Sequence, residues 1–415
     1  MGRKVVIIAY TFPPAKGIGG RRWAKFAKFL VRLGVDVKVI SFSDGSGSSW
    51  AEDIKEFENQ IIKLVPKQPY YIKHPAPRSI IGKVRYKLSV KSMQNSHDAN
   101  IYDPAIGLKH QLISELEKLI EVGYLNIIVT GAPFYLTYYT SQIKNKYRNV
   151  NLIMDYRDPW TTNKMGYQYK DMSKERLEAE QRIEKETISK ADFVYTVNDT
   201  MSNYFRTIVP DGVPVKTILN GYDTDDVSKV MSKKNLVKKK LRLIYTGNLY
   251  DKLDYVFNPL VAYVKDLLDE ERNEVEFNFY GTFELRYKEL IEKEGLSHVF
   301  KFHGTISLSE VYQKIHEHDV AMLFLTKDLK DSFSTKYYEY LSQYKYIAIF
   351  GEEGDACGFV EKHKIGVGIT PEIIKEKLEF LLSMKRNHKL VFNKEFKIEQ
   401  YSVESIAKEI FKDLK

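Results

Sequence analysis

Apolar runs of strand length alternate along the chain with segments of helical period. Val5 to Tyr10 is continuously apolar and rich in β-branched residues, as a strand buried on both faces would be. Trp23, Phe26, Ala27, Leu30 and Leu33 then recur at helical spacing up to Gly34, and Val35 to Ser41 predicts a second strand. The alternation continues with a helix over Leu112 to Val122, a strand over Asn126 to Thr130 and an apolar run from Asn151 to Met154. Ser173 to Lys190 reads as a charged surface helix rich in Glu–Arg/Lys pairs, before strands at Ala191 to Val197 and Val215 to Leu219. Ser228 to Lys240, carrying Lys233, Lys234, Lys238, Lys239 and Lys240, reads as a solvated connector. The pattern then restarts, with strands expected at Leu241 to Thr246, Glu276 to Tyr280, Phe300 to His303, Val320 to Leu325 and Tyr346 to Phe350. An amphipathic helix over Glu404 to Leu414 ends the chain. Strand, glycine turn, helix, strand opens a doubly wound α/β domain, and its recurrence predicts two. A length of 415 residues also exceeds one typical core.

Composition narrows the class. Apolar residues make up 43% and charged residues 29%, with 29 Tyr and 22 Phe, which suits a soluble globular protein rather than a disordered one. No apolar run reaches the length of a membrane span. The short first run ends at Pro13-Pro14 and reads as a buried strand rather than a signal peptide, and Val6 breaks the myristoylation pattern. The single cysteine, Cys357, excludes an internal disulfide and fits a reducing compartment, so a cytoplasmic protein is expected. The net charge of +9 is uneven. Lys63, Lys67, Lys73, Arg78, Lys83, Arg85, Lys87 and Lys91 face a single acid, Asp98, with Tyr70, Tyr71, Ile80, Ile81 and Tyr86 interleaved. A solvated face, a nucleic-acid surface and a patch for anionic lipid all fit this stretch, and no nucleic-acid-binding motif accompanies it.

Four loops carry candidate chemistry. The first, Thr11-Phe-Pro-Pro-Ala-Lys-Gly17-Ile-Gly19-Gly20-Arg21-Arg22, follows the first strand, and Gly19 and Gly20 clear side chains where backbone would meet a phosphate. Arg22 stands where a nicotinamide fingerprint needs its third glycine, so that rival fails. The second is Asp155-Tyr-Arg157-Asp158-Pro-Trp160, at the carboxyl edge of a strand, where two carboxylates bracket Arg157. The third is Gly247-Asn248-Leu-Tyr-Asp-Lys252. The fourth, Asp331-Ser-Phe-Ser334-Thr335-Lys336-Tyr-Tyr-Glu339, places Asp331 before a helix expected over Thr335 to Tyr344, with Glu339 inside it and Ser334 as N-cap. The free N–H groups at that helix start suit an anion, and the two acids suit hydroxyls at either end of a diphosphate-linked ligand. Asp223-x-Asp225 supplies two carboxylates without the further ligands a metal needs, and His316-x-His318 is expected to be structural or exposed.

The acid-x7-Glu spacing of Asp331 and Glu339, with Lys336, resembles the corresponding motif of family 4 retaining glycosyltransferases, and the other three loops resemble that family's loops in the same order. The Asp-Tyr-Arg-Asp-Pro-Trp loop is similar to the branch found in bacterial polysaccharide biosynthesis. The resemblance implies a GT-B fold, two Rossmann-like domains facing across a cleft with a C-terminal helix returning toward the first. It implies residues 1–218 as acceptor domain, 219–240 as linker, 241–396 as donor domain and 397–415 as the crossover helix. It further implies metal-independent, retaining transfer from a nucleotide-sugar, a UDP-sugar foremost, to an acceptor hydroxyl on a lipid-linked or growing surface glycan, with no cofactor. Glu339 would hold the ribose, Asp331 the sugar, and Asp158 or Arg157 the acceptor. Gly19, Gly20, Asn248, Lys252, Ser334, Thr335 and Lys336 would surround the diphosphate, and Gly281 and Gly304 would frame the base. Three departures stand out: Asp331 for the usual Glu, Asn248 for an arginine, and Arg157 for a histidine. The lipid-linked acceptor favours anionic membrane as the partner of the basic stretch. A sugar-nucleotide epimerase, a silent nucleotide-sugar-binding partner and a basic RNA-binding protein are the competing classes.

Overall fold

The computed structural model describes residues 2–15, 18–42, 50–97, 99–162, 172–228, 239–249 and 252–415. Gly17, Asp98, Lys233, Lys234 and Lys238 lie outside these residues. The chain divides into two compact units: Met1–Leu219 with Glu404–Lys415, and Asn220–Val403. Residues 397–403 thus group with the second unit, whereas the last helix, Val403–Asp413, belongs to the first from Glu404 on.

The first unit is built on seven parallel strands: β1 (Lys4–Ala9), β2 (Asp36–Ser41), β3 (Ile61–Lys63), β4 (Asn126–Thr130), β5 (Asn151–Tyr156), β6 (Phe193–Thr196) and β7 (Val215–Thr217). Their order is β3-β2-β1-β4-β5-β6-β7. Every residue of β4 and β5 is buried, because helices cover both faces of a parallel sheet. The helix Ile18–Arg32 buries Trp23, Phe26, Ala27 and Leu30, the residues whose spacing announced it. Burial of Phe26 and of Leu30 each contributes about 1.5–3 kcal/mol. The C-terminal helix is fastened to the amino end of this sheet. The Asn151 amide donates to the Asp413 carbonyl at 2.8 Å, Tyr195 Oη donates to the Asp413 carboxylate at 2.7 Å, and Arg3 donates to the Phe411 carbonyl at 2.9 Å.

The second unit has six parallel strands: β8 (Leu241–Thr246), β9 (Val275–Tyr280), β10 (Phe300–Gly304), β11 (Val320–Phe324), β12 (Tyr346–Phe350) and β13 (Gly366–Ile369). They run in the order β10-β9-β8-β11-β12-β13. Its core is aromatic, with Phe257, Phe277, Phe279, Phe300 and Phe324 in mutual ring contact. Lys345 is buried, and its Nζ donates to the carbonyls of His316 and His318 at the end of the helix Leu308–Glu317. Burial lowers its pKa to about 8. His318 is a structural histidine: it too is buried, and desolvation holds it largely neutral, at about 4. Both units are doubly wound, and strand order reverses between β1 and β4 and between β8 and β11. Ligands of such sheets sit beyond the carboxyl ends at the reversal, so the loops after these strands matter most.

In the first unit that reversal is pinned by one buried carboxylate. Asp155, near the end of β5, accepts from Arg22 at 3.0 Å, Trp23 Nε1 at 2.7 Å and Thr130 Oγ1 at 2.9 Å. The bracketing of Arg157 by two carboxylates, expected from sequence, is therefore not what forms. Asp155 points into the core toward Arg22, and Arg157 pairs with Asp158. Arg157 lies past the end of β5, where the chain has left the sheet, so the strand no longer holds it on the face of Asp155. Replacing Asp155 by Ala would leave the Arg22 guanidinium buried without its carboxylate, and should cost about 3–5 kcal/mol of stability, measured by urea denaturation.

Candidate functional site

In the second unit three glycines end three adjacent strands. Gly247 N donates to Tyr280 O, and Gly281 N to Gly304 O, both at 2.7 Å, so the turns after β8, β9 and β10 continue the sheet as a shelf of bare backbone. Gly247 and Gly281 have φ of 113° and 133°. A Cβ on Gly281 would strike the Gly247 carbonyl, and one on Gly247 would strike the Lys336 side chain. Neither position tolerates another residue without moving its neighbour.

The helix Thr335–Ser342 reaches this shelf through Tyr340, whose buried hydroxyl accepts from Thr246 N at 3.0 Å. Lys336 precedes Tyr340 by one turn and shares its face. Its chain therefore runs over Gly247, and its ammonium donates to Tyr245 Oη at 3.2 Å and lies 4.9 Å from that ring's centre. Glu339 sits half-buried beside Tyr340 on the same helix. Ser334 is the N-cap in backbone conformation, but its hydroxyl makes no capping bond, contrary to the sequence expectation. Thr335 follows it, half-buried, at the helix start.

Asp331 has a structural duty that its spacing did not reveal. Its Oδ1 accepts the Asp355 N–H at 3.0 Å, capping the helix Asp355–Lys362 where Gly354, at the N-cap, has no side chain to do so. Asn248 accepts Thr282 Oγ1 at 2.6 Å, which ties the turn after β8 to the turn after β9. Lys252 adopts a left-handed backbone, φ 66°, and its ammonium lies 4.0 Å from Asp328. Gly304 is flanked by His303, which stacks on Tyr280 at 4.3 Å and bonds Asn278 Oδ1 at 2.8 Å. Burial, then Lys301, depresses the His303 pKa, so this ring is neutral at pH 7.

The first unit holds Gly19, Gly20, Arg157 and Asp158. The Arg157 guanidinium occupies the space a Gly19 side chain would take, and Gly20 lies against the Thr11 carbonyl. Both glycines are thus used by the protein's own close packing at the start of the helix Ile18–Arg32. Arg157 donates to Asp158 Oδ2 at 3.1 and 3.2 Å, and both side chains remain partly open to solvent. Trp160 anchors the loop, stacked on Phe134 at 5.3 Å and donating to Glu180 Oε1 at 2.8 Å. Asp223 is a buried cap that accepts the Asp225 N–H at 2.9 Å. Among the described residues neither unit alone gathers three metal-ligating side chains.

Sequence reading passed over a group of buried acids behind the Trp160 loop. Asp103 accepts the N–H groups of Phe134 and Ala105 at 2.8 Å, and Glu180 accepts Asn100 N at 2.9 Å. Glu184, one turn after Glu180, accepts Thr161 Oγ1. The helix looked like a solvated one, and only the i, i+4 pairing of Glu180 and Glu184 could have signalled an inward acidic edge.

No family model and no curated protein matches the sequence. Solved structures do match over the whole chain. HepE from Anabaena, in complex with UDP, shares 14% identity at a TM-score of 0.63, covering 99% of this chain and 98% of its own. TarM shares 12% at 0.65, covering 99% and 98%. WaaG, a glycosyltransferase involved in lipopolysaccharide biosynthesis, shares 14% at 0.57, covering 98% and 99%. The fold is accordingly that of the GT-B glycosyltransferases, with two Rossmann-like domains.

Glu184 gives this region a measurable pH dependence. Burial raises its pKa from 4.5 to about 7, against the pull of the Thr161 hydroxyl. A carboxyl that binds its proton more tightly when folded adds stability that is full below about pH 4.5 and lost as pH rises through about 7. Glu184→Gln should flatten that decline, with thermal melts of variant and wild type diverging most above pH 7. The gain there should be about 1–3 kcal/mol.

Proposed function

We propose that the chain is a retaining, metal-independent glycosyltransferase moving a sugar from a UDP-sugar to an acceptor hydroxyl on a lipid-linked or growing glycan. The observation that carries this reading is the Lys336 ammonium held over the bare Gly247 backbone at the strand reversal, with Glu339 one turn inside the same helix. A diphosphate laid on the shelf meets a cation and the free N–H groups of a helix start, and Glu339 accepts the ribose hydroxyls. Lys252 adds a second cation, and Asn248 can only donate a neutral hydrogen bond where the resembled family places arginine. The complex of HepE with UDP supports uridine as the base.

In the transfer the bond from the anomeric carbon to the diphosphate oxygen breaks as the acceptor oxygen attacks from the same face. The departing phosphate oxygen takes the acceptor's proton. Charge grows on that diphosphate, and prearranged donors (Lys336, Lys252 and the N–H groups after Ser334) stabilise it more than the ground state. Asp331 orients the sugar through the oxygen that does not cap Asp355, and the Arg157–Asp158 pair addresses the acceptor. Thermal melts against UDP, GDP, ADP and CMP test the donor site. UDP alone should stabilise the wild type, and Lys336→Met and Glu339→Ala should each weaken UDP at least about tenfold. An undiminished UDP shift in both variants would refute the assignment.

The acceptor's lipid is matched by the helix Ile80–Ser96. Ile80, Ile81, Val84 and Leu88 form one stripe along it and are 81%, 72%, 51% and 63% exposed. Lys83, Arg85, Lys87 and Lys91 accompany the stripe, and the helix has no acid. Basic and apolar side chains share this exposed helix, which suits electrostatic attraction to the headgroups of anionic bilayers. Flotation with phosphatidylglycerol-containing liposomes should recover the wild type and leave an Ile81→Glu/Leu88→Glu variant in the dense fraction. Equal recovery with neutral liposomes would remove the electrostatic part of the reading.

A further inference from the structure

The cation over the shelf comes from a helix, and the residue that holds it there has no part in the transfer reading. Tyr245, next to last in β8, is buried, with its ring packed against Phe279 and Phe324 at 6.1 and 5.5 Å between centroids. Its hydroxyl reaches the turn after β8 and donates to the Asn248 carbonyl at 2.5 Å. A tyrosine hydroxyl has one proton to give. With that proton on Asn248, the lone pairs of Oη are left to accept, and the Lys336 ammonium donates to them at 3.2 Å. The ammonium also lies 4.9 Å from the centre of the same ring, whose face attracts a cation. A ring fixed in the core thus sets where the end of a half-buried lysine sits, and the lysine stem crosses Gly247 on the way.

An anchor of this kind changes what a phosphate meets. Lysine has a long stem with many rotamers, and a ligand that had to order it on arrival would bind more weakly. Holding the ammonium in place beforehand removes that loss. The chemistry of the anchor matters too. A carboxylate in place of Oη would hold the ammonium but compete with the ligand for its charge, whereas a hydroxyl adds no charge of its own. Asn248, which takes the tyrosine's proton, is likewise neutral. We infer that Tyr245 is a positioning residue of the donor site, given the shelf as the diphosphate site of the transfer reading. Its hydroxyl holds the Lys336 ammonium over Gly247, ready for the diphosphate.

A double-mutant cycle on the full chain tests it. UDP is the probe, and its dissociation constant is read by titration calorimetry in wild type, Tyr245→Phe, Lys336→Met and the double variant. Phenylalanine keeps the ring in the core and removes only the hydroxyl. With Lys336 present, Tyr245→Phe should weaken UDP at least about threefold. In the Lys336→Met background the same change should alter UDP by less than about 1.5-fold, because a residue acting through another has nothing left to act on. A tyrosine that merely shaped the turn through Asn248 would weaken UDP equally in both backgrounds, and that additivity would overturn the inference. So would UDP binding undiminished in Tyr245→Phe while Lys336→Met is impaired, an outcome that leaves the donor assignment standing. UDP bound equally by wild type and Lys336→Met, or not bound by the wild type, removes the donor assignment, and the role of Tyr245 falls with it.

Discussion

The first unit depends on a carboxylate placed where water cannot reach it. Asp155 takes three side-chain hydrogen bonds at the end of β5, and its Arg22 partner also donates to the carbonyls of Ile218 and Leu219. One fully buried pair thus ties the start of the helix Ile18–Arg32, the ends of β4 and β5, and the chain leaving β7. Burying two charges is unfavourable unless every remaining donor and acceptor is met, and here Trp23 and Thr130 meet the carboxylate's needs. The constraint fixes the loops above it. With Asp155 turned inward, Arg157 is left to pair with Asp158 and to rest on Gly19 at the surface.

The second unit solves a related problem with backbone rather than charge. Three adjacent strands finish in glycines whose amides and carbonyls continue the ladder, which leaves a polar surface without side chains at the strand reversal. The helix Thr335–Ser342 is then held by Tyr340 on Thr246, and the helical repeat brings Lys336 above that surface. The resulting arrangement of bare amides, one cation and a helix start favours anions by geometry rather than by net charge. The buried acids of the first unit follow the opposite logic. Glu180 is satisfied by three donors, whereas Glu184 is held by the Thr161 hydroxyl and is buried without a cation beside it among the described residues.

Much of this was legible in the chain itself. Continuous apolar runs separated by helical periods determined strands, helices, the repetition of a doubly wound unit and the loops that follow the strands, because burial on both faces of a parallel sheet permits little else. The spacing of Lys336 and Glu339 on one helix, and the glycines at strand ends, were local properties and were readable as such. What sequence left open was decided by tertiary structure. Asp331 caps a helix begun twenty-four residues later, Asp155 chooses Arg22 over its neighbour Arg157, and Gly19 makes room for a guanidinium from a distant loop. Glu184 belongs to a helix that reads as solvated, and only packing against Thr161 and Tyr204 turns it inward. Periodicity is a property of neighbours along the chain, and it determines which face is buried. Which partner a buried charge meets depends on contacts tens to hundreds of residues apart, and those exist only once the sheets have formed.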